Sequence, residues 1–152
     1  MKLTAKASIQ IQKPLREVFE GIINPEKMTQ YFISESTGTL EEGKEIIWKF
    51  PEFPELECLI KNIRIEKYHS VSFVWDDETT VNIHLDEQAD QSVVVKVEEE
   101  GKELNESNLK WLVGNTEGWA NFLACMKAYL EHGINLRKGA FAFLQSPSPE
   151  SE

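Results

Sequence analysis

Between Ile46 and Val97 the apolar residues return at every second position, in one short run after another. The runs are Ile46-Trp48-Phe50, Leu56-Cys58-Ile60, Ile63-Ile65, Val71-Phe73-Trp75, Val81-Ile83-Leu85 and Val93-Val95-Val97. A period of two is that of a strand with one buried face. The intervals between runs are too short for a crossover helix, so successive strands must pair antiparallel as a meander. Parity changes between Ile60 and Ile63, and a one-residue insertion near Lys61-Asn62 is needed to keep both sets inside. A β-bulge is expected there. The PEFPE stretch that follows Phe50 reads as a loop, because its two prolines cannot donate to a ladder. Val71 to Asp76 and Thr80 to Asp86 are expected to pair through Asp76-Asp77-Glu78. Asp favours turns, so that acidic triplet reads as a solvated turn rather than a metal site completed by His84.

The flanks of the meander carry helices. Leu3, Ala5, Ala7, Ile9 and Ile11 form one further alternating strand. Pro14 suits a first helical position, and Leu15, Val18, Phe19 and Ile22 follow at helical spacing until Asn24-Pro25 interrupts them. Pro25 starts a second short helix that carries Met28 and delivers Tyr31-Phe32 to the sheet. Near the C-terminus, Leu112, Trp119, Phe122, Leu123, Met126 and Leu130 fall within one arc when residues are set 100° apart, with Ala124, Lys127, Glu131 and His132 opposite. This predicts an amphipathic helix of about six turns, ended by Gly133 as its C-terminal cap.

A long helix facing a sheet can be one wall of a solid core or one wall of a container. Asn108, Asn115 and Tyr129 sit on or beside the apolar arc although none is an ordinary core residue. A buried amide or hydroxyl without a partner costs about 1–3 kcal/mol, so each is either satisfied within the protein or aimed at a guest molecule. Trp75 and Trp119 pose the same choice. The candidate lining of a cavity between sheet and helix is Trp48, Phe73, Trp75, Ile83, Asn115, Trp119, Phe122, Met126 and Tyr129, with Trp119 and Tyr129 facing it.

Charge and motifs narrow the function classes. The formal net charge is −10 over 152 residues, which repels phosphate backbones and anionic headgroups, and the nearest basic patch is the pair Arg137-Lys138. Neither nucleic-acid binding nor membrane insertion is expected. No apolar h-region follows Lys2, so a cytoplasmic protein is expected. Two cysteines, Cys58 and Cys125, are too few for a disulfide framework or a zinc site and read as buried thiols. There is no GxSxG, GxGxxG, GxxxxGK[ST] or HExxH pattern. His84 reads as outward-facing on its strand, His132 as polar-side and His69 as solvated at a strand end. Glu35 and Glu117 could do acid or base work only if buried. No metal, cofactor or identifiable catalytic residue is expected. Residues 1–144 read as one domain, and the tail QSPSPESE is disordered on composition.

The order of elements, strand, two short helices, six-stranded meander and long C-terminal helix, resembles the START-like superfamily. Thr116 to Gly133, TEGWxNFLxCxKxYLEHG, is similar more specifically to the activators of the heat-shock protein 90 ATPase. The resemblance implies an α+β helix-grip fold, a curved antiparallel sheet of six or seven strands around the long helix. It also implies carriage or sensing of a small, mostly apolar ligand, aromatic or lipid-like, in a cavity between the two. A cyclase- or hydrolase-like cavity enzyme is the alternative it offers, and a chaperone-regulating module with a chaperone contact ranks third. The expected assembly is a monomer or a weak homodimer.

Overall fold

The computed structural model describes residues 1–75 and 78–144. β1 (Lys2–Ile11) is followed by α1 (Leu15–Ile23) and α2 (Pro25–Met28). Six strands come next, β2 (Glu35–Ser36), β3 (Ile46–Phe50), β4 (Phe53–Glu66), β5 (Ser70–Val74), β6 (Thr80–Glu87) and β7 (Val93–Glu103). The long helix α3 (Glu106–His132) and a 3-10 turn (Ala142–Leu144) complete the order. The strands form one curved antiparallel sheet of seven, ordered β1-β7-β6-β5-β4-β3-β2. This is the expected α+β helix-grip architecture. The tail expected to be disordered, residues 145–152, lies outside the described residues, and so do Asp76 and Asp77.

The alternation does what its period requires. Val71 and Phe73, Val81 and Ile83, and Val93, Val95 and Val97 are all buried, and β5 pairs with β6 from Ser70↔His84 to Val74↔Thr80. The parity change in β4 is resolved at a bulge, where the register with β5 shifts between Lys61 and Arg64 and Asn62 adopts φ 53°. Ile60 and Ile63 are consequently both inside.

Two local readings are corrected. The PEFPE stretch is not a loop throughout: Phe50 pairs with Phe53, so Pro51-Glu52 forms a tight hairpin turn and Pro54 lies within β4. Register with β5 runs only from Lys61 to Glu66, and proline is tolerated where a strand has a neighbour on one side. Cys125 is buried as expected, whereas Cys58 is half-buried.

α3 is longer than its apolar arc, with 27 residues. Its first turn is fixed by Asn105, whose side chain accepts from Asn108 N at 2.8 Å, the preferred chemistry for free N–H groups at a helix start. Gly133 ends it in the left-handed region at φ 67°. Trp119, Phe122, Leu123, Cys125 and Met126 are its buried residues. The helix lies chiefly along β1 and is pinned there by polar contacts. Lys127 Nζ donates to Gln10 O at 2.7 Å, and Gln12 N donates to Glu131 Oε2 at 2.7 Å.

Candidate functional site

The parity that buries Val93, Val95 and Val97 continues to Glu99, which is fully buried. Its carboxylate accepts four hydrogen bonds. Asn115 Nδ2 and Trp119 Nε1 donate to Oε1, each at 2.8 Å, while Trp75 Nε1 at 2.9 Å and Thr79 Oγ1 at 2.5 Å donate to Oε2. A carboxylate has about four lone-pair sites, so all of them are occupied. These four donors come from three places in the chain: Trp75 just after β5, Thr79 just before β6, and Asn115 and Trp119 one turn apart on α3. Glu99 therefore ties the sheet to the helix at the end where Trp75 and Thr79 flank β5 and β6.

The backbone is shaped to allow this. Register between β1 and β7 shifts where Leu3 pairs with Lys102 and Thr4 with Glu100, leaving Gly101 as the extra residue at φ 135°. A Cβ on Gly101 would stand 3.2 Å from Thr79 Cα. Only glycine lets β7 pass this close to Thr79.

Beside the two indoles lies an open cavity of about 430 Å³. Its apolar lining is Phe32, Phe50, Trp75, Trp119, Phe141, Phe143 and Leu144, and its polar lining is Asn115, Glu117, Asn121 and Arg137. Trp75 and Trp119 lie 5.4 Å apart, inclined by 32°, so they form one wall rather than two jaws. A second cavity of about 410 Å³ adjoins it and shares Phe32 and Arg137.

Arg137 stands between the two. Its Nε and Nη2 donate to Glu52 Oε2 and Oε1 at 3.2 and 2.7 Å. Glu52 belongs to the β3–β4 hairpin turn and Arg137 to the segment after α3, so the pair ties that segment to the sheet. The guanidinium also lies 5.5 Å from the Phe32 ring, 6.0 Å from Phe50 and 5.0 Å from Phe141, distances at which a cation is attracted to an aromatic face. Cys125 is close by. Burial pushes its thiol up from the ordinary value, with Arg137 opposing the rise and Glu52 reinforcing it.

Of the nine residues chosen from sequence, Trp75, Asn115 and Trp119 line this cavity. The amide nitrogen of Asn115 is used within the protein. Trp48, Phe73, Ile83, Phe122 and Met126 are buried in the main core, and Tyr129 is half-buried, stacked on Tyr31 at 6.1 Å. None of these six lines it. Phe32 is the reason, since its ring lies 5.7 Å from Trp48, 4.6 Å from Phe122 and 6.2 Å from Trp119. It fills the space between sheet and helix, and the open volume is left at the rim. Glu35 and Glu117 are exposed, and so is His84. Among the described residues no group of three or more His, Cys, Asp or Glu could hold a metal ion, and no helix is long and apolar enough to cross a membrane.

Solved structures share this fold. A protein of Staphylococcus saprophyticus is 31% identical, superposes with a TM-score of 0.76, and is matched over 89% of this chain and 96% of its own. DynU16, from the dynemicin biosynthetic locus, is 19% identical with a TM-score of 0.75, matched over 86% of this chain and 48% of its own. The Aha1 dimer of Colwellia psychrerythraea is 15% identical with a TM-score of 0.71, matched over 88% of this chain and 99% of its own. No curated protein matches the chain. The sequence pattern of the family described as "Activator of Hsp90 ATPase homolog 1-like protein" covers residues 12–131, and the chain with its helix-grip fold belongs to that family, within the START-like superfamily.

Proposed function

We propose that the protein binds a small, mostly apolar ligand with an aromatic ring in the rim cavity beside Trp75 and Trp119. The observation that carries this reading is an open space of about 430 Å³ walled by aromatic side chains. That volume lies within the roughly 300–1,000 Å³ typical of small-molecule sites, which likewise combine apolar walls with a few polar groups. The indoles are held from behind by Glu99, so the wall is organised before a guest arrives, which lowers the ordering cost of binding.

The same geometry favours carriage or sensing over catalysis. Glu99 is the buried carboxylate nearest the wall, and its lone pairs are already taken by protein donors, leaving no free site for a substrate proton. Glu117 lines the cavity but is exposed. The chemical-shift response of the Trp75 and Trp119 indole N–H groups to 2-ethylnaphthalene tests the reading. Saturable shifts confined to these two tryptophans, with Trp48 and Trp111 unmoved, are expected. Absence of saturation up to the solubility limit of the probe would refute it.

A further inference from the structure

Arg137 has more donors than the protein uses. Two of its five N–H groups engage Glu52, and no described residue accepts from Nη1. Yet the one side-chain nitrogen or oxygen that is both buried and unpartnered among the described residues is Trp111 Nε1. Nη1 is therefore unpartnered without being buried, in a side chain that lines both cavities and is only 15% exposed. An arginine drawn this far from water, against three aromatic rings, keeps one edge free of protein acceptors beside the two cavities.

Charge decides what that edge can accept. The cavity itself is lined by Glu117 and Arg137, Glu52 and Lys138 line the adjoining one, and Glu99 lies behind the indoles. Glu52 already balances Arg137 through two bonds. A guest carboxylate would add a negative charge to a guanidinium already paired with Glu52 and beside exposed Glu117, and burying an unbalanced charge is costly. A neutral carbonyl oxygen would take the open N–H groups without adding charge, and a bond to a charged donor is stronger than one between neutral groups.

We infer that Arg137 is the specificity-determining residue of the cavity, donating from Nη1 to an uncharged carbonyl acceptor on an aromatic guest and discriminating against the corresponding anion. This rests on the ligand-binding reading above. Its new content is the role of Arg137 and the rejection of carboxylates.

Equilibrium dialysis with three probes of one ring system separates the two readings. 2-Ethylnaphthalene has no acceptor, 2-acetylnaphthalene has a neutral one and 2-naphthoate an anionic one. The intact protein is expected to bind the ketone about tenfold more tightly than the ethyl compound, as one net hydrogen bond allows, and to bind naphthoate more weakly than the ketone. Arg137→Met should abolish the ketone's advantage while leaving 2-ethylnaphthalene bound. Equal affinity for ketone and ethyl compound, a preference for naphthoate, or a ketone advantage that survives Arg137→Met would each overturn the inference while sparing the cavity. Failure of all three probes to bind would overturn the cavity and the inference together. Should Arg137→Met not fold, Glu52→Gln decides. Freed of its balancing charge, Arg137 should then bind naphthoate about tenfold better than before, and no gain in naphthoate affinity would overturn the role.

Discussion

The indole N–H of Trp119 ends on Glu99 Oε1, 2.8 Å away, so the bulkiest residue on the inner face of α3 is oriented by a carboxylate that the sheet supplies. Hydrophobic burial alone would leave the ring free to choose among several packings. This bond, matched by that of Trp75 to the other oxygen, fixes which edge of each indole points inward and hence which face borders the cavity.

Glu99→Gln tests how much the network contributes to stability. The amide is nearly the size of the carboxylate, but its NH₂ must face one of two pairs of donors, leaving N–H or O–H groups opposed and unsatisfied. A loss of about 1.5–3 kcal/mol is expected in urea unfolding, the range for bonds to charged groups. A change below about 0.5 kcal/mol, the size of an ordinary surface substitution, would show that the four bonds contribute little net stability.

Part of this site was legible in the sequence and part was not. Glu99 continues the parity of Val93, Val95 and Val97, so its inward direction was there to be read, but three consecutive glutamates, Glu98 to Glu100, look like a solvated strand end. Period gives direction and says nothing about depth. The meander, the long helix, its glycine cap and the bulge near Asn62 were all encoded in local spacing. The arrival of Phe32 at the sheet was expected from the break after α2, but neither its depth nor the position of Arg137 was, because both lie in irregular segments without a period. Their positions follow from how far α2 and the segment after α3 reach over the sheet. The ring of Phe32 between sheet and helix is what moves the open volume to the rim, away from Phe73, Ile83 and Met126.

Gly101→Ala should loosen the same site through the backbone. The residue occupies φ 135°, and its new Cβ would press on Thr79 Cα at 3.2 Å, where neither strand can shift cheaply. Strain of this type costs about 1–3 kcal/mol. Thermal unfolding should register the loss, and the Trp75 indole N–H resonance should move as Thr79 is displaced from Glu99. An alanine variant as stable as the parent would show that β7 can bend away here.

The pinning of α3 to β1 should depend on pH through Glu131. Burial pushes its carboxyl up, but the Gln12 amide, the Lys127 ammonium 2.6 Å away and His132 outweigh this and leave the group below its ordinary value near 4.5. A carboxyl with a lowered folded value stabilises above its unfolded value, and that contribution disappears as pH falls through the folded one. The Tm difference between the parent and Glu131→Gln is thus expected to be steady at neutral pH and to shrink below about pH 4.5. A difference that widens on acidification would mean that Glu131 is not held by these partners.

Phe73→Ala and Phe141→Ala together separate core from cavity wall. Phe73 is fully buried, with Trp48 and Trp75 at 5.3 and 5.5 Å, so its truncation should cost about 3–5 kcal/mol through lost burial and a new void. Phe141 is half-buried, beside the Arg137 guanidinium and next to open space. Part of its surface already lacks protein neighbours, and its truncation should cost less than about 1.5 kcal/mol, half or less of the value for a full core phenylalanine. Affinity for 2-acetylnaphthalene should nevertheless fall, since part of the cavity's aromatic lining would be gone. Denaturant unfolding and probe binding, measured on both variants, give the comparison. A core-sized loss at Phe141 would mean that the segment after α3 is part of the folded core, and unchanged probe affinity there would place the guest elsewhere.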